Sequence, residues 1–297
     1  MLLVFTGSSD ATCDLLFTQL KDRAFRFNFD IFHEYEVQLT PSYWSIRNPS
    51  GLEITSKNVS AAFWWKAFNY FPEHDAYNVT EAKYTFREIY NWCRRNVVTK
   101  GNPPDYHNEF GKVFILGVAE KQFRTPNTFV GWNFELSALS TFSSRLVAKS
   151  LASGFTTTDK ILFTSLLTKD QIDTKSPWYL QDMLDAEADV TVFICGSQHF
   201  CFSRSRRNLI GLDWRTPSNR GVDINEWTPR NLTATEKDAT VQFCSTLSIN
   251  WGRIDFLESH GELIFLEYNA NGQWVFLDYS NKVGLVNAVL DYLTQNK

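Results

Sequence analysis

WGRIDFLESHGELIFLEYNANGQWVFLD, residues 251–278, is the stretch whose reading decides the fold. It sets Asp255, Glu267 and Asn269 among Ile, Leu, Phe and Tyr residues that favour burial. IDFLES and LIFLEYN read as antiparallel strands joined at His260–Gly261. In a register centred on Gly261, Asp255 lies directly opposite Glu267. Cβ atoms of such a pair are about 4.5–5.5 Å apart, and like charges there are destabilising. Asn269, two residues past Glu267, points to the same face. A hard divalent cation would reconcile two carboxylates and an amide oxygen gathered in this way. Mg2+ takes oxygen ligands, often one or two carboxylates together with substrate phosphates. The plain alternative is a sheet whose acids point into solvent, and a one-residue slip in register would separate the pair.

The rest of the chain is consistent with a large soluble core. Its 297 residues allow one large domain or two of ordinary size. Apolar residues make up 43% and charged residues 21%, a globular composition. The net charge of −4 argues against a broad nucleic-acid or anionic-membrane surface. MLLVFTGSSD at the start is too short and uncharged for a signal peptide, and no run approaches the ~20 apolar residues of a membrane span. The five cysteines are scattered, with no C-x-x-C pair, so free thiols in a reducing cytoplasm are expected. No G-x-G-x-x-G or G-x-x-x-x-G-K-S/T loop occurs, which leaves Rossmann and P-loop nucleotide sites unsupported.

Along the chain, LLVF, the helix-like DATCDLLFTQLKDR and RFNFDIF give a β-turn-α-β opening of an α/β domain. A hairpin around NPSG, a strand in VSAAFWWKAF and a helix over 80–95 capped by Thr80 follow. TKGNPP, residues 99–104, is the clearest break. The expected division is therefore an N-terminal α/β domain over 1–100 and a second domain over 101–297, itself split near residue 180. NEFGKVFILGVAEKQ reads as a helix, RLVAKSL as a strand and 151–160 as a mobile loop. DVTVFICGSQHFCFSRS reads as strands around Gly196–Ser197. TATEKDATVQFCSTLS and GLVNAVLDYLTQ read as helices.

GRIDF…FLEYNANGQW resembles the metal-binding end of the ATP-grasp ligases, and most of all the graspetide (microviridin-type) peptide ligases, down to E-x-N-x-N-G-Q-W. The resemblance extends over nearly the whole chain. It implies an α/β (α+β) ATP-grasp fold behind an N-terminal α/β pre-ATP-grasp domain. It implies Mg2+ on Asp255, Glu267 and Asn269. NPPDYHNEFGKVFILGVAEKQFRTPNTFV resembles the family's lysine-bearing helix and P-x-T run, which makes Lys112 a phosphate contact. RLVAKSLASG resembles the nucleotide-contacting strand and the loop that covers the phosphates, with Lys149 as its lysine. QDMLDAEADVTVFICG resembles the adenine and ribose stretch: Gln181, Asp182, Met183 and Leu184 at the adenine edge, Asp189 near ribose or phosphates. LDWR resembles a D-W-R element of the peptide-ligase branch and offers Arg215 as a catalytic cation; Arg207, in SRSRR, has the chemistry to grip phosphate. One departure stands out: where the family commonly has arginine two places after the aspartate, this chain has Thr191, and Arg204, Arg206, Arg207 and Arg215 are the candidates to replace it. Each lysine and arginine also has an ordinary reading, as solvated surface or a salt-bridge partner.

The resemblance implies an enzyme that uses ATP to phosphorylate a carboxylate and lets a nucleophile displace the phosphate. In the graspetide branch the carboxylate and the nucleophile belong to one precursor peptide, which the enzyme holds by a leader segment, and the products are macrolactones or macrolactams. Two alternatives stay open: an ATP-grasp ligase that adds an amino acid to a peptide or protein, and a nucleotide-binding regulator without turnover, which Thr191 favours. A second copy of the chain is a candidate partner; nucleic acid and membrane are not.

Overall fold

The structure, a computed structural model, describes residues 1–66, 76–102, 111–151, 164–212 and 226–295. The chain opens with β1 (Leu2–Thr6), helix α1 (Ala11–Leu20) and β2 (Ala24–Asn28), with β2 parallel to β1. The helix starts where the Asp10 carboxylate accepts the Cys13 N–H at 2.8 Å, a side-chain N-cap. β3 (Glu36–Thr40), β4 (Tyr43–Arg47) and β5 (Glu53–Thr55) form a small antiparallel sheet. β6 (Ala61–Trp64), helix α2 (Ala76–Asn96) and β7 (Val98–Gly101) complete a parallel sheet of order β2-β1-β6-β7. Alternate residues of β1 serve two cores: Leu3 and Phe5 pack with Phe86, Ile89 and Trp44, and Leu2 and Val4 pack with Leu16 and Leu20. Both faces of the sheet are thus covered, as parallel sheets require.

Two of the expectations for this region change. Thr80 does not cap the helix: α2 already includes Ala76, because the buried stripe Val79, Phe86, Ile89 and Cys93 starts upstream of Thr80. Tyr84 lies off that stripe and is exposed. The break at 99–104 begins as bound structure, since residues 98–101 are a sheet strand and Asn102 is buried, its amide donating to the carbonyls of Ala270 (2.8 Å) and Trp251 (3.2 Å).

After this come helix α3 (Lys112–Ala119), β8 (Thr128–Gly131), β9 (Arg145–Lys149), β10 (Ser165–Thr168) and β11 (Trp178–Asp182). The strands form an antiparallel sheet of order β10-β9-β11-β8. The larger sheet consists of β12 (Ala188–Cys195), β13 (Gln198–Ser205), β14 (Thr228–Pro229), β15 (Trp251–Ser259) and β16 (Glu262–Asn269), with helix α4 (Ala234–Thr246) before β15. Its order is β14-β13-β12-β15-β16. α3 packs on β16. Helix α5 (Leu285–Thr294) packs against α1 and β6, across the expected boundary at residue 101. Lys100, buried, fixes that packing by donating to the carbonyls of Tyr292 and Gln295 at the end of α5, where the helix dipole favours a cation. Burial lowers its pKa.

Candidate active site

The β15–β16 hairpin turns on His260 (φ 53°) and Gly261 (φ 78°), a two-residue turn with both φ positive, the type I′ geometry that matches strand twist. From Ser259↔Glu262 to Phe256↔Phe265 the pairing follows that turn and, continued, would set Asp255 opposite Leu266. A β-bulge between Asp255 and Phe256 shifts the register by one residue. Beyond it Asp255 faces Glu267 and Arg253 faces Asn269. The expected pairing of the two acids is present, and the bulge rather than the turn produces it.

Each group on this face has a definite position. Asp255 is half-buried: Thr191, its neighbour on β12, donates its hydroxyl at 2.8 Å, and Arg253 Nη2 donates at 3.1 Å with Nε 2.9 Å away. Arg253 also donates to the Gln273 carbonyl at 2.8 Å. The Glu267 carboxylate makes no hydrogen bond or ion pair among the described residues. Gly272 lies over the pair of strands; a Cβ there would stand 3.0 Å from Arg253 Cβ and 3.1 Å from Asn269 Cγ, so a side chain would displace both. Asn271 Oδ1 is buried with no hydrogen-bond partner among the described residues, an acceptor in want of a donor or a cation.

The second wall of the site is the β10-β9-β11-β8 sheet. Lys149 at the end of β9 pairs with Tyr179, and Gln181 with Val147, which puts Lys149, Tyr179 and Gln181 on one face. Burial lowers the Lys149 pKa; Glu267 opposes that shift, Lys112 adds to it and Asp255 opposes it. Lys149 therefore senses both acids of the hairpin. The Tyr179 hydroxyl, buried and beside Glu267, is pushed well above the usual phenol range. Lys112, the first residue of α3, donates to the Ser150 carbonyl at 2.9 Å and lines a cavity with Ile115, Tyr179, Leu266, Glu267 and Tyr268. Two lysines from separate elements thus stand near Glu267, whose carboxylate has no hydrogen-bond or ion-pair partner among the described residues.

The remaining candidates separate. Gln181 is buried, and its amide donates to Thr128 Oγ1 at 3.0 Å. Asp182 turns away from Lys149: its carboxylate accepts from Asn127 (2.8 Å) and the Ser143 N–H (2.8 Å). Met183 and Leu184 are half-buried on the segment joining the two sheets, and the Met183 N–H donates to the Arg145 carbonyl at 3.0 Å. Asp189 is on the Asp255 face but is gripped by Arg204 and Arg206. Arg204 also stacks on Trp227 at 5.1 Å, so this cluster closes on itself. Arg207 is exposed past the end of β13. Arg215 lies outside the described residues, as does the phosphate-covering loop from residue 152. The cation beside Asp255 is Arg253, which motif reading passes over although strand alternation places it on that face. Among the described residues no three His, Cys, Asp or Glu side chains gather as a metal cluster.

No protein-family model matches the sequence, and no curated protein matches it. Solved structures do. The macrocyclase MdnC of Microcystis aeruginosa MRC, solved with precursor peptide MdnA, is 21% identical over 98% of both chains with a TM-score of 0.80. A Chryseobacterium gregarium RiPP-associated ATP-grasp ligase, solved with ADP and a leader and core peptide, is 18% identical over 98% of this chain and 96% of that one, TM-score 0.82. The D-alanine–D-alanine ligase of Bacillus anthracis, complexed with ATP, is 12% identical over 99% and 95%, TM-score 0.56. The fold is that of the ATP-grasp ligases. Lys149 lies on the β10-β9-β11-β8 sheet, Lys112 begins helix α3, and Asp255, Glu267 and Asn269 lie on the larger sheet. The mixed α/β architecture expected from the β-turn-α-β opening and the resemblance is present.

Proposed function

We propose that this chain is an ATP-dependent ligase that activates Asp or Glu side chains of a ribosomally made precursor peptide and closes them into macrolactone or macrolactam cross-links. The observation that carries the reading is the opposed Asp255–Glu267 pair, with Asn269 beside it and Lys149 coupled to both acids, on an ATP-grasp fold. The E-x-N-x-N-G-Q-W run and the high structural similarity to ligases solved with precursor, leader and core peptides support a peptide substrate with a leader. The assignment of residues 1–100 to a pre-ATP-grasp domain and 101–297 to the clasp belongs to the same reading.

The donor set suits Mg2+: two carboxylates, an amide and the unpartnered Asn271 oxygen are hard oxygen ligands. Bound there, the ion would screen the charge of the ATP phosphates. The residues do the rest. Lys112 and Lys149 draw the phosphates to the Glu267 side, where removal from water strengthens their attraction. The substrate carboxylate oxygen attacks the γ-phosphorus, and ADP leaves. A Thr or Ser hydroxyl, or a Lys amine, of the same peptide then attacks the acyl carbon, loses its proton and expels phosphate. Arg253, on Asp255, supplies positive charge on the other side, near the position where Thr191 replaces the family's arginine. Gln181, Met183 and Leu184 border the cleft as the nucleotide-base edge. Asp182 and Asp189 act there by holding the backbone and the sheet. Arg207 and Arg215 remain candidate phosphate and catalytic cations.

The test is mass spectrometry of a peptide encoded beside the gene after incubation with enzyme, ATP and Mg2+. Each cross-link should lower the peptide mass by one water, about 18 mass units, through condensation by way of an acyl phosphate. A gain equal to an amino-acid residue would overturn cyclisation in favour of simple ligation.

A further inference from the structure

Past the end of β16 the chain makes a tight turn: the Gly272 N–H donates to the Asn269 carbonyl at 3.1 Å. Ala270 and Asn271 are its central residues, and Asn271 keeps a negative φ. The turn folds back over the hairpin, since a Cβ on Gly272 would meet Asn269 and Arg253. A four-residue turn has two common forms, which differ by a flip of the central peptide. The second form needs a positive φ at the third residue, and asparagine tolerates that conformation. The local sequence therefore permits both. A flip would reverse the Ala270 carbonyl and swing the side chain of Asn271, whose Oδ1 is buried without a hydrogen-bond partner among the described residues.

The choice is made from outside the turn. Gly101, the last residue of β7, has φ 74°, and a Cβ there would stand 2.2 Å from the Trp64 carbonyl. Only glycine fits that exit from the sheet, and it delivers Asn102 to the base of the hairpin. Asn102 is buried, and its Nδ2 donates to the Ala270 carbonyl at 2.8 Å and to the Trp251 carbonyl at 3.2 Å. The Tyr268 hydroxyl lies 3.2 Å from the same Nδ2 and donates to the Trp251 carbonyl. Gly252 (φ 128°) makes room for that tyrosine: a Cβ there would stand 2.7 Å from its ring. One amide thus ties the first residue of β15 to the turn after β16. Ala270 is fully buried, so a flipped turn would leave both its carbonyl and an Asn102 N–H without partners, at a cost comparable to a lost hydrogen bond.

We infer that Asn102 is a positioning residue for the metal end of the site: by holding the Ala270 carbonyl it keeps the 269–272 turn in the form that sets the side-chain oxygens of Asn269 and Asn271. This rests on the proposed function, whose metal ligands it positions. It also makes the parallel sheet, through the residue that follows β7, part of the geometry that binds the ion.

The experiment compares the unmutated full-length protein with Asn102→Ala, with Asn102→Leu, which keeps the branched shape and removes the donors, and with Lys100→Met. Lys100→Met cuts the neighbouring bonds to the end of α5 and serves as a control for loosening in general. Mn2+ stands in for Mg2+, and its affinity is read by electron paramagnetic resonance at saturating ADP, below each melting temperature. ADP binding without metal is read by calorimetry. Both Asn102 variants should weaken Mn2+ about tenfold, the scale of one hydrogen bond, and raise the Mg2+ needed for half-maximal ADP release. ADP binding without metal should hold, because Lys112 and Lys149 are untouched. Lys100→Met should lower the melting temperature and leave Mn2+ affinity alone. If Asn102→Ala is too unstable to purify, Asn102→Leu, which opens no cavity, carries the comparison. Unchanged Mn2+ affinity in a folded Asn102 variant, or an equal loss in Lys100→Met, overturns the positioning role while the proposed function stands. An unmutated protein that binds no Mn2+ with ADP overturns the metal assignment of the proposed function, and the positioning role with it.

Discussion

β15 carries two acids three residues apart, and the sheet sends them to opposite faces. Glu258 meets Arg230 at 2.9 Å, and the same guanidinium grips Glu236 through two bonds of 2.8 and 3.0 Å. Glu236 in turn closes the capping box of α4 on Thr233. Hydrogen bonding to Glu236 raises the Arg230 pKa, and despite the cost of burial the Glu236 carboxyl is lowered by its bond to Arg230 and the Thr233 N–H. Every charge there has a partner from the chain. Across the sheet, Asp255 is met by Arg253 and Thr191, while the carboxylate of Glu267 opposite it has no hydrogen-bond or ion-pair partner among the described residues and acts electrostatically on Lys149 of the other sheet. The first arrangement holds a helix to a sheet. The second leaves the Glu267 carboxylate without a direct partner among the described residues, and the proposed function gives it to the metal. Acidity alone does not mark a site; an acid whose partner the fold withholds does.

The sharpest way to break this contrast is to neutralise one acid on each face. Glu267→Gln is isosteric, should leave the melting temperature unchanged or slightly higher by ending repulsion with Asp255, and should lower ATP turnover by about 100-fold or more, the scale of one lost transition-state contact. Normal turnover by purified Glu267→Gln would show that the acid pair is not the working centre. On the other face, Arg230→Met should cost about 3 kcal/mol in chemical denaturation, because it strands two partly buried carboxylates, while turnover per folded molecule holds. A smaller loss than that of an ordinary surface arginine would equate the two faces.

Titration separates the faces less strongly. Glu236 has a lowered pKa in the folded chain, so its contribution is present above the unfolded carboxylate pKa and fades as pH falls through the folded value. The acid limb of the stability profile should flatten in Arg230→Met. Lys149, lowered chiefly by burial, loses its charge at a lower pH than an exposed lysine. Stabilisation by Mg-ADP should therefore decline with rising pH before an ordinary lysine titrates, and Lys149→Arg should move that decline to higher pH. The smallest effect is expected at Gly272→Ala: the added methyl presses on Arg253 and Asn269, so stability should fall by about 1 kcal/mol and turnover several-fold, since the crowded atoms belong to the site.

Much of this was legible in the sequence, for physical reasons that differ by residue. The β-turn-α-β opening and the hairpins follow from alternation and turn residues, which act locally. The pairing of Asp255 with Glu267 was readable from spacing, but the bulge that creates it was not, because an extra residue in one strand leaves the hydrophobic pattern on both sides intact. Arg253 was within reach of the period-two rule, which places it on the face of Asp255. Asp182 and Asp189 read as nucleotide contacts from their neighbours in sequence, and the structure spends both carboxylates on the protein.

The most direct test is a thermal unfolding series of the unmutated protein with Mg-ADP. A ligand held by the native site at about a hundred times its Kd adds about 2.7 kcal/mol of stability, so the melting temperature should climb by several degrees and keep climbing with concentration. Lys149→Ala should shrink that rise, and Glu258→Gln should lower the starting temperature without changing it. A melting temperature indifferent to millimolar Mg-ADP would contradict the claim that the unpartnered face of β15 and β16 is a nucleotide site.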